Sequence, residues 1–555
     1  MVFKKTDIFT QNASMKILGI PFVESSYTSP LIADYLNQDP RLKFCSSAFP
    51  TLENLRNQAK AKQKNYPADH RRVLVLSLEK QYKEISTTSA VRDNIALLGQ
   101  AHSVTVTTGH QLNLMTGPLY FIYKIITTIK LAQQLNAQGD GLAVVPIFWM
   151  ATEDHDFDEI NHFDFQGKKI QWNHASTGPV GDLSLESLQP ILTAFEQSLG
   201  QSLQADQLRK WITQSYGKAT TLTEATHRLA DALFGDYGLV CLDAHTPELK
   251  TLFVPQMLEE LNHQTAYQRV SEQIEKLQQN YRSDYIPQVN PREINLFYFH
   301  QAERLRIEKT TSGFSLVDHP MQFEDQELQE ELERHPERFS PNVLLRPLYQ
   351  EVILPNICYI GGGGELAYWL QLSSFFTAQK VDFPLLLHRN AALLINEKQL
   401  KKAKALDVEV PDLFQKQADL VLQKVCALST IDLDLQFFKT ALEQQFTQLE
   451  TLAQQTDSSF MGSVAAQRAK QFKGIDRLEK RLLAAQKRKL AQHTERIAAL
   501  HEALFPQGKL QERVANFFTF YLEYGEGLIP KLVEAFDPLA GEWDVLKLTF
   551  DKKES

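Results

Sequence analysis

The spacing of apolar residues in the N-terminal part of the chain predicts a helical segment followed by a strand, a helix and a strand. Residues 15–86 carry apolar side chains mainly at helical spacing, and a β-branched run at 104–107 stops at Gly109. Apolar positions recur every three or four residues over 119–135, and an almost unbroken apolar stretch fills 142–149. Strands of this kind, joined by a helix, are typical of a βαβ unit in a buried parallel sheet. The pattern therefore predicts an α/β fold with a parallel-sheet core.

The remaining strands of this sheet are predicted only after a long interruption. Residues 161–340 combine a candidate strand at 294–300 with an acidic helical stretch at 324–333. Apolar stretches of strand length return at 356–360 and 383–387. We interpret the intervening residues as insertions that connect the two halves of the core.

From about residue 431 the chain becomes rich in Gln, Glu, Lys, Arg, Leu and Ala. Leu435, Leu442 and Leu449 follow at seven-residue intervals, and Asp457 offers a break before a second helical stretch. This spacing predicts an antiparallel helical hairpin of the coiled-coil type, although core positions of ordinary helices fit the local pattern about as well. The predicted domains are N-terminal helices with the first half of the core at 1–160, insertions at 161–340, the second half of the core at 341–430, the coiled coil at 431–505, and a segment returning to the core at 506–555.

Composition and charge exclude several classes of protein. The 555 residues are 43% hydrophobic and 23% charged, with a net charge of −9 and no basic block, which argues against nucleic acid as a partner. The four cysteines lie far apart, so neither a disulfide framework nor a zinc site built on cysteine pairs is predicted. No apolar run is long enough for a membrane span, and residues 1–14 do not resemble a signal peptide. We therefore expect a cytoplasmic protein.

Three unusual segments follow predicted strands, where parallel sheets collect their binding sites. The first segment holds glycines that let a backbone approach a ligand closely, together with a histidine that could stabilise a phosphate or carboxylate. A lone histidine is more often structural. The candidate residues are Gly109, His110, Gln111, Thr116 and Gly117.

The second segment crowds five carboxylates around one histidine at 153–159. Their mutual repulsion requires a divalent ion, a substrate ammonium group or neighbouring arginines, unless the segment is simply a solvated helix start. We assign catalysis, including a general base, to Asp154, His155 and Asp156, with His110. Glu153 and Asp158 are predicted to bind substrate.

The third segment is a run of four glycines after the strand at 356–360. A flexible linker is out of place between an apolar strand and an aromatic-rich helix, so we favour a turn that cradles a ligand. It is neither a GxGxxG nor a Walker A motif. Arg346 could bring a guanidinium to the same pocket. The residues predicted to bind substrate here are Arg346, Gly361, Gly362, Gly363, Gly364 and Glu365.

Three long stretches of the sequence resemble the signatures of the BshC family of bacillithiol biosynthesis. They are TTGHQLNLMTGPLYFIYK at 107–124, VVPIFWMATEDHDFDEINH at 144–162, and RFSPNVLLRPLYQEVILPNICYIGGGGELAYWLQL at 338–372. The resemblance implies a Rossmann-type core with connecting insertions and a coiled coil that mediates homodimerisation. It also implies a ligase that adds cysteine to glucosaminyl malate, the last step of bacillithiol biosynthesis.

The resemblance further implies a nucleotide site and a kinship with class I aminoacyl-tRNA synthetases. Of their HxGH and KMSKS motifs the chain keeps only the final Gly-His, so the sequence does not indicate how cysteine is activated. ATP or ADP is the expected cofactor, and Mg²⁺ is a candidate. The alternatives are a nucleotidyl or glycosyl transferase on the same core, or a dimeric scaffold that binds nucleotide without catalysis. The nucleotide-binding residues are predicted to be Leu386, Leu387, His388, Arg389, Pro506, Gln507, Gly508, Lys509, Gln511 and Arg513.

Overall fold

A computed structural model describes residues 15–549, apart from 140, 175 and 177. The chain forms two compact units. The first consists of the described residues of Met1–Leu394 and Gln511–Ser555, and the second of Ile395–Leu510. The chain thus leaves the first unit once and returns to it. The predicted N-terminal segment 1–14 lies outside the described residues.

The strands of the first unit are numbered in chain order, and the last residues of β14 belong to the second unit. They are β1 (Lys16–Pro21), β2 (Ser103–His110), β3 (Ala143–Met150), β4 (His162–Phe165), β5 (Lys168–Gln171), β6 (Val240–Asp243), β7 (Leu296–His300), β8 (Glu303–Thr310), β9 (Gly313–Leu316), β10 (Gln322–Phe323), β11 (Phe339–Pro341), β12 (Asn356–Gly361), β13 (Leu385–His388), β14 (Ala391–Asn396) and β15 (Glu542–Leu548).

The helices of the first unit surround these strands. They are α1 (Pro30–Leu36), α2 (Leu52–Asn65), α3 (Ala68–Gln81), α4 (Ser89–Leu98), α5 (Tyr120–Asn136), α6 (Phe157–Ile160), α7 (Gln189–Ser198), α8 (Leu203–Ser215), α9 (Leu222–Phe234), α10 (Pro247–Thr251), α11 (Val254–His263), α12 (Thr265–Asn280), α13 (Asp325–Arg334), α14 (Leu345–Ile353), α15 (Gly363–Trp369), α16 (Ser373–Gln379), α22 (Phe517–Tyr524) and α23 (Leu528–Ala535). The missing numbers belong to the second unit, which holds α17 (Glu397–Ala405), α18 (Gln417–Leu428), α19 (Gln436–Ala453), α20 (Ser458–Lys489) and α21 (Ala491–Leu504).

The central sheet is parallel and has the strand order β13–β12–β2–β3–β6. Strand β2 is buried along its whole length, and β3 is buried apart from its first residue. Helix α5 connects these two strands, as the apolar pattern predicts, so the α/β prediction is confirmed. Strand β6 is missing from the prediction because four residues are too short to give a distinct pattern.

The described residues form three further sheets, most of whose strands are not predicted. The smallest pairs β4 with β5 antiparallel. The insertion between β6 and β12 contains an antiparallel sheet in the order β10–β9–β8–β7–β11, of which only β7 is predicted. Another sheet has the order β1–β15–β14, and its β1 and β15 pair antiparallel although they stand at opposite ends of the chain. A pairing between residues so far apart leaves no local pattern in the sequence, and the sequence pattern therefore predicts only helices over 15–86.

The second unit is helical, and it begins earlier than the predicted boundary at 431. Helix α18 packs against α21, where the Gln417 amide donates to the Ala498 carbonyl over 3.1 Å. Helices α19 and α20 form a hairpin around Phe446, Ala453 and Val464. The predicted break is present, because Asp457 caps the start of α20 by accepting from the Phe460 N–H over 2.9 Å.

Candidate active site

A cavity of about 440 Å³ lies in the first unit, beyond the carboxyl ends of β2, β3 and β12. The strand order reverses there, because the chain runs from β2 to β3 on one side and β12 lies on the other. Open parallel sheets bind ligands in the crevice that such a reversal creates. Its walls include Gly109 and His110 from β2, Trp149 from β3, and Tyr359 from β12.

A half-buried ion pair joins helix α5 to the start of α15 in the wall of this cavity. Lys124 Nζ lies 2.6 Å from Glu365 Oε2 and donates to the Gly109 carbonyl over 2.8 Å. Glu365 also accepts from the Tyr359 hydroxyl over 2.6 Å and from the Gly362 N–H over 2.9 Å. Burial alone would raise the pKa of Glu365, but Lys124 and these donors lower it to about 2. The glycine turn is therefore fixed by an ionised carboxylate.

His110 is neutral in this environment. Burial, followed by the nearby Lys124 charge, lowers the pKa of His110 to about 3. Its Nδ1 lies 2.9 Å from the Gln111 carbonyl, which can only accept, so Nδ1 carries the proton. Nε2 then holds a lone pair and has no hydrogen-bond partner among the described residues. His110 thus offers an acceptor, rather than the positive charge that the sequence analysis considered.

The acidic segment at 153–159 divides into an inner and an outer part. Glu153 pairs with the fully buried Lys250 and lies 3.2 Å from His245 Nδ1. Asp154 accepts from the backbone N–H of His155 over 2.8 Å and from the Gln111 amide over 2.8 Å. Asp156 is exposed and directly precedes the four-residue helix α6. The repulsion between these carboxylates is relieved chiefly by Lys250 and by local N–H donors.

We expect the Glu153 ion pair to make stability depend on acidic pH. Burial alone would raise the pKa of Glu153, but Lys250 and His245 lower it from 4.5 to about 2. A lowered pKa stabilises the fold above the unfolded value, and this stabilisation, about 3 kcal/mol, is lost as the pH falls from 4.5 towards 2. Thermal melts across this range should show a weaker pH dependence in Glu153→Gln than in the wild type. Glu303→Gln, which alters an exposed carboxylate, should keep the wild-type slope, and equal slopes in all three proteins would contradict the assignment.

Comparison with known proteins covers almost the whole chain. The description "Bacillithiol biosynthesis BshC, N-terminal Rossmann-like domain" matches residues 15–390, and "Bacillithiol biosynthesis BshC, C-terminal coiled-coil domain" matches 392–548. The chain belongs to the BshC family. Relatives named "Putative cysteine ligase BshC" include one from Flavobacterium johnsoniae, 48% identical over 95% of this chain and 99% of its own length. Another, from Bacillus cereus, is 27% identical over 93% of this chain and 98% of its own length.

The BshC family match confirms the resemblance, and the structure brings many of the predicted site residues to the cavity. Those in its wall are Gly109, His110, Gln111, Asp154, Arg346, Gly362, Gly364, Glu365, Arg389 and Arg513. Glu153 lines a second, smaller cavity beside it. Their functional roles stay predictions.

Other predicted residues lie outside both cavity walls. Thr116 and Gly117 form a turn in which the Gly117 carbonyl accepts from the Asn516 amide over 2.7 Å. His155, Asp156 and Asp158 are exposed, and Gly361 and Gly363 flank the glycines that line the cavity. Leu386, Leu387 and Gln511 are buried in the first unit, and His388 ends β13. Pro506, Gln507, Gly508 and Lys509 belong to the second unit.

Several residues of the cavity wall were not predicted. Lys124 gave a usable signal, because it and Lys130 are the two charged residues of a mainly apolar helical stretch. The aromatic residues Tyr120, Trp149, Tyr359 and Tyr368 gave none, since aromatic residues in strands and helices usually belong to the core.

Two classes of feature are absent from the described part of the chain. No group of three or more His, Cys, Asp or Glu residues there could hold a metal ion, so these residues do not fit a metal held by the protein alone. None of the helices described there combines the length and the apolar character needed to cross a bilayer.

Proposed function

We propose that the protein is a ligase that joins cysteine to glucosaminyl malate with the help of a nucleoside triphosphate. The observation that carries the proposal is the match to the BshC family over nearly the full length, together with relatives named as cysteine ligases. The cavity at the strand reversal supports it, because its walls hold both cations and carboxylates for charged substrates.

The reaction forms a C–N bond between the carboxyl carbon of cysteine and the amine of glucosaminyl malate. Activation transfers a phosphoryl or nucleotidyl group to a carboxylate oxygen, and that oxygen leaves with the group when the amine attacks. The amine loses a proton in this step, and Asp154 is the candidate to accept it. Its carboxylate is half-buried in the cavity wall and has no close ion-pair partner, whereas Glu153 of the same segment is paired closely with Lys250. Arg346 and Lys124 provide positive charge nearby.

The direct test is to incubate the protein with cysteine, glucosaminyl malate and ATP, and to follow the thiol product by labelling and chromatography. The nucleotide product distinguishes phosphoryl transfer, which releases ADP, from nucleotidyl transfer, which releases AMP. Formation of neither bacillithiol nor a nucleotide product would contradict the proposal. Mg²⁺ is tested in the same reaction by adding a chelator.

We propose that ADP or ATP contacts Arg513, an exposed cation in the cavity wall. Charge-assisted contacts to phosphate are worth roughly 1.5–3 kcal/mol, so Arg513→Ala should lower the affinity for ADP by about tenfold or more in calorimetric titrations. Arg72→Ala, which removes an exposed arginine from α3, is the control. Unchanged affinity in Arg513→Ala would place the nucleotide elsewhere.

We further propose that the protein is a homodimer and that the α19–α20 hairpin forms the contact. Phe438, Leu449, Leu452 and Leu478 are 41–58% exposed, and Phe437 is 78% exposed. A row of exposed apolar side chains along a helix pair is typical of a surface that another chain covers.

Replacing both Phe437 and Phe438 by glutamate should therefore yield monomers. Two buried charges at the contact would oppose association, and light scattering should report about half the wild-type mass. The matched control is Leu203→Glu with Ile286→Glu, since these residues are 84% and 85% exposed in the first unit. A dimer that survives the hairpin substitutions would rule out this interface.

A further inference from the structure

A second cavity of about 140 Å³ adjoins the larger one in the first unit. Trp149, Ala151, Asp154, Val343 and Arg346 belong to the walls of both cavities. With about a third of the larger volume, the smaller cavity admits one end of a molecule rather than a whole sugar derivative. Its wall includes Arg304, a residue of β8 that does not line the larger cavity.

Arg304 holds a positive charge that no carboxylate of the described residues approaches within ion-pair distance. Its Nε donates to the Ser340 hydroxyl over 3.1 Å, and its Nη2 donates to the Pro341 carbonyl over 2.9 Å. Nη1 lies 2.9 Å from His155 Nδ1, and burial together with Arg304 lowers the pKa of that histidine. The guanidinium also lies 4.0 Å from the centre of the Phe297 ring. These partners orient the group without neutralising it.

Arg346 is in the same situation on the wall that the two cavities share. Its Nη1 donates to the Gln350 amide oxygen over 3.1 Å, while its buried Nη2 has no hydrogen-bond partner among the described residues. The ring centres of Trp149 and Tyr359 lie 5.6 and 5.5 Å from its guanidinium carbon. No carboxylate described in the structure forms an ion pair with it.

The other buried cations around the cavities each have a carboxylate. Lys124 pairs with Glu365, Lys250 with Glu153, and Arg389 with Glu512. Glu153 and Asp154 attract Arg304 electrostatically, but among the described residues neither lies within ion-pair distance of Arg304 or Arg346. Glu153 is paired with Lys250, and Asp154 accepts from the Gln111 amide and the His155 backbone N–H. A half-buried charge without a counter-ion is unfavourable until an anion binds.

We propose that the smaller cavity is a carboxylate subsite in which Arg304 and Arg346 bind a carboxylate of a substrate whose remainder occupies the larger cavity. Guanidinium groups suit this task because their paired N–H donors match the two oxygens of a carboxylate. The inference rests on the proposed ligase function, which supplies two sources of the group: the carboxylate of cysteine and the malyl carboxylates of the acceptor.

Calorimetric titrations of the full chain test the subsite and distinguish its two sources. L-cysteine is compared with cysteamine, which lacks the carboxylate, and glucosaminyl malate is compared with glucosamine. Arg304→Gln should lower the affinity for whichever carboxylate ligand uses the subsite by about tenfold or more, and should leave the affinity for the counterpart without a carboxylate unchanged. Arg304→Lys keeps the positive charge but loses the paired N–H donors of the guanidinium, so this variant should bind the carboxylate ligand with intermediate affinity. It replaces Arg304→Gln in the test if the glutamine variant does not fold.

Arg306→Gln is the matched control. Arg306 stands two residues further along the same strand, pairs with Glu308 and lines neither cavity, so its replacement should not alter binding. If the Arg304 variants bind cysteine and glucosaminyl malate as tightly as the wild type does, the subsite is wrong, and the ligase proposal still stands. A wild-type protein that binds neither cysteine nor glucosaminyl malate would overturn the proposed function and the subsite together.

Discussion

Arg389→Met is expected to lower the free energy of unfolding of the first unit by about 3–5 kcal/mol, the usual cost of removing one partner of a buried ion pair. Arg389 Nη2 lies 2.5 Å from Glu512 Oε1, and the two side chains are only 4% and 1% exposed. The loss leaves a buried, uncompensated carboxylate between β14 and the segment that returns from the second unit. Urea unfolding followed by tryptophan fluorescence reports this unit selectively, because all five tryptophans belong to it.

Two further variants separate the ion pair from a general loss of packing. Adding Glu512→Gln to Arg389→Met removes the stranded charge and should recover a large part of the stability. Arg334→Met breaks an exposed pair with Glu330 and should cost less than about 1 kcal/mol. If the double variant is no more stable than Arg389→Met, the charge is not the cause of the loss.

Asp154→Asn is expected to reduce formation of the thiol product by about a hundredfold, which is the usual scale for a lost general base. Asparagine has nearly the same shape, so the fold should survive, and a thermal melt run beside the chromatographic assay checks this. Asp154 lies in the cavity wall, where its Oδ2 accepts from the Gln111 Nε2 over 2.8 Å.

Asp156→Asn provides the matched comparison within the same segment. The sequence analysis assigned both aspartates to catalysis, but Asp156 is exposed and lines neither cavity. We expect its replacement to leave the rate within about threefold of the wild type. A hundredfold loss in Asp156→Asn with an active Asp154→Asn would reverse the two assignments.

Local patterns in the sequence account for the part of the fold that could be predicted. The strands β2, β3 and β12 carry β-branched or apolar runs, and α5 carries apolar residues at helical spacing. The segments that follow the three strands therefore fall at the same edge of the sheet. This is why Gly109 and Gly362, far apart in sequence, could be placed near one cavity.

The rest depends on pairings between distant residues. Nothing near Arg304 in the sequence indicates that it lines the same small cavity as Arg346, because its position depends on hydrogen bonds to the distant residues Ser340 and Pro341. The partners of the acidic segment could not be predicted for the same reason. Lys250 lies 97 residues from Glu153, and only the fold shows that the two are paired.

The pairing of β1 with β15 has a consequence for synthesis of the protein in the cell. Lys16 of β1 and Glu542 of β15, whose side chains form an ion pair, are 526 residues apart in sequence. At the usual rate of translation, about 5–20 residues per second, β1 waits roughly half a minute to two minutes for its partner strand to leave the ribosome. During that time the nascent chain exposes an unpaired strand edge, which makes it a candidate client for chaperones that bind extended segments. Removing β15 by truncation would leave β1 permanently without its neighbouring strand.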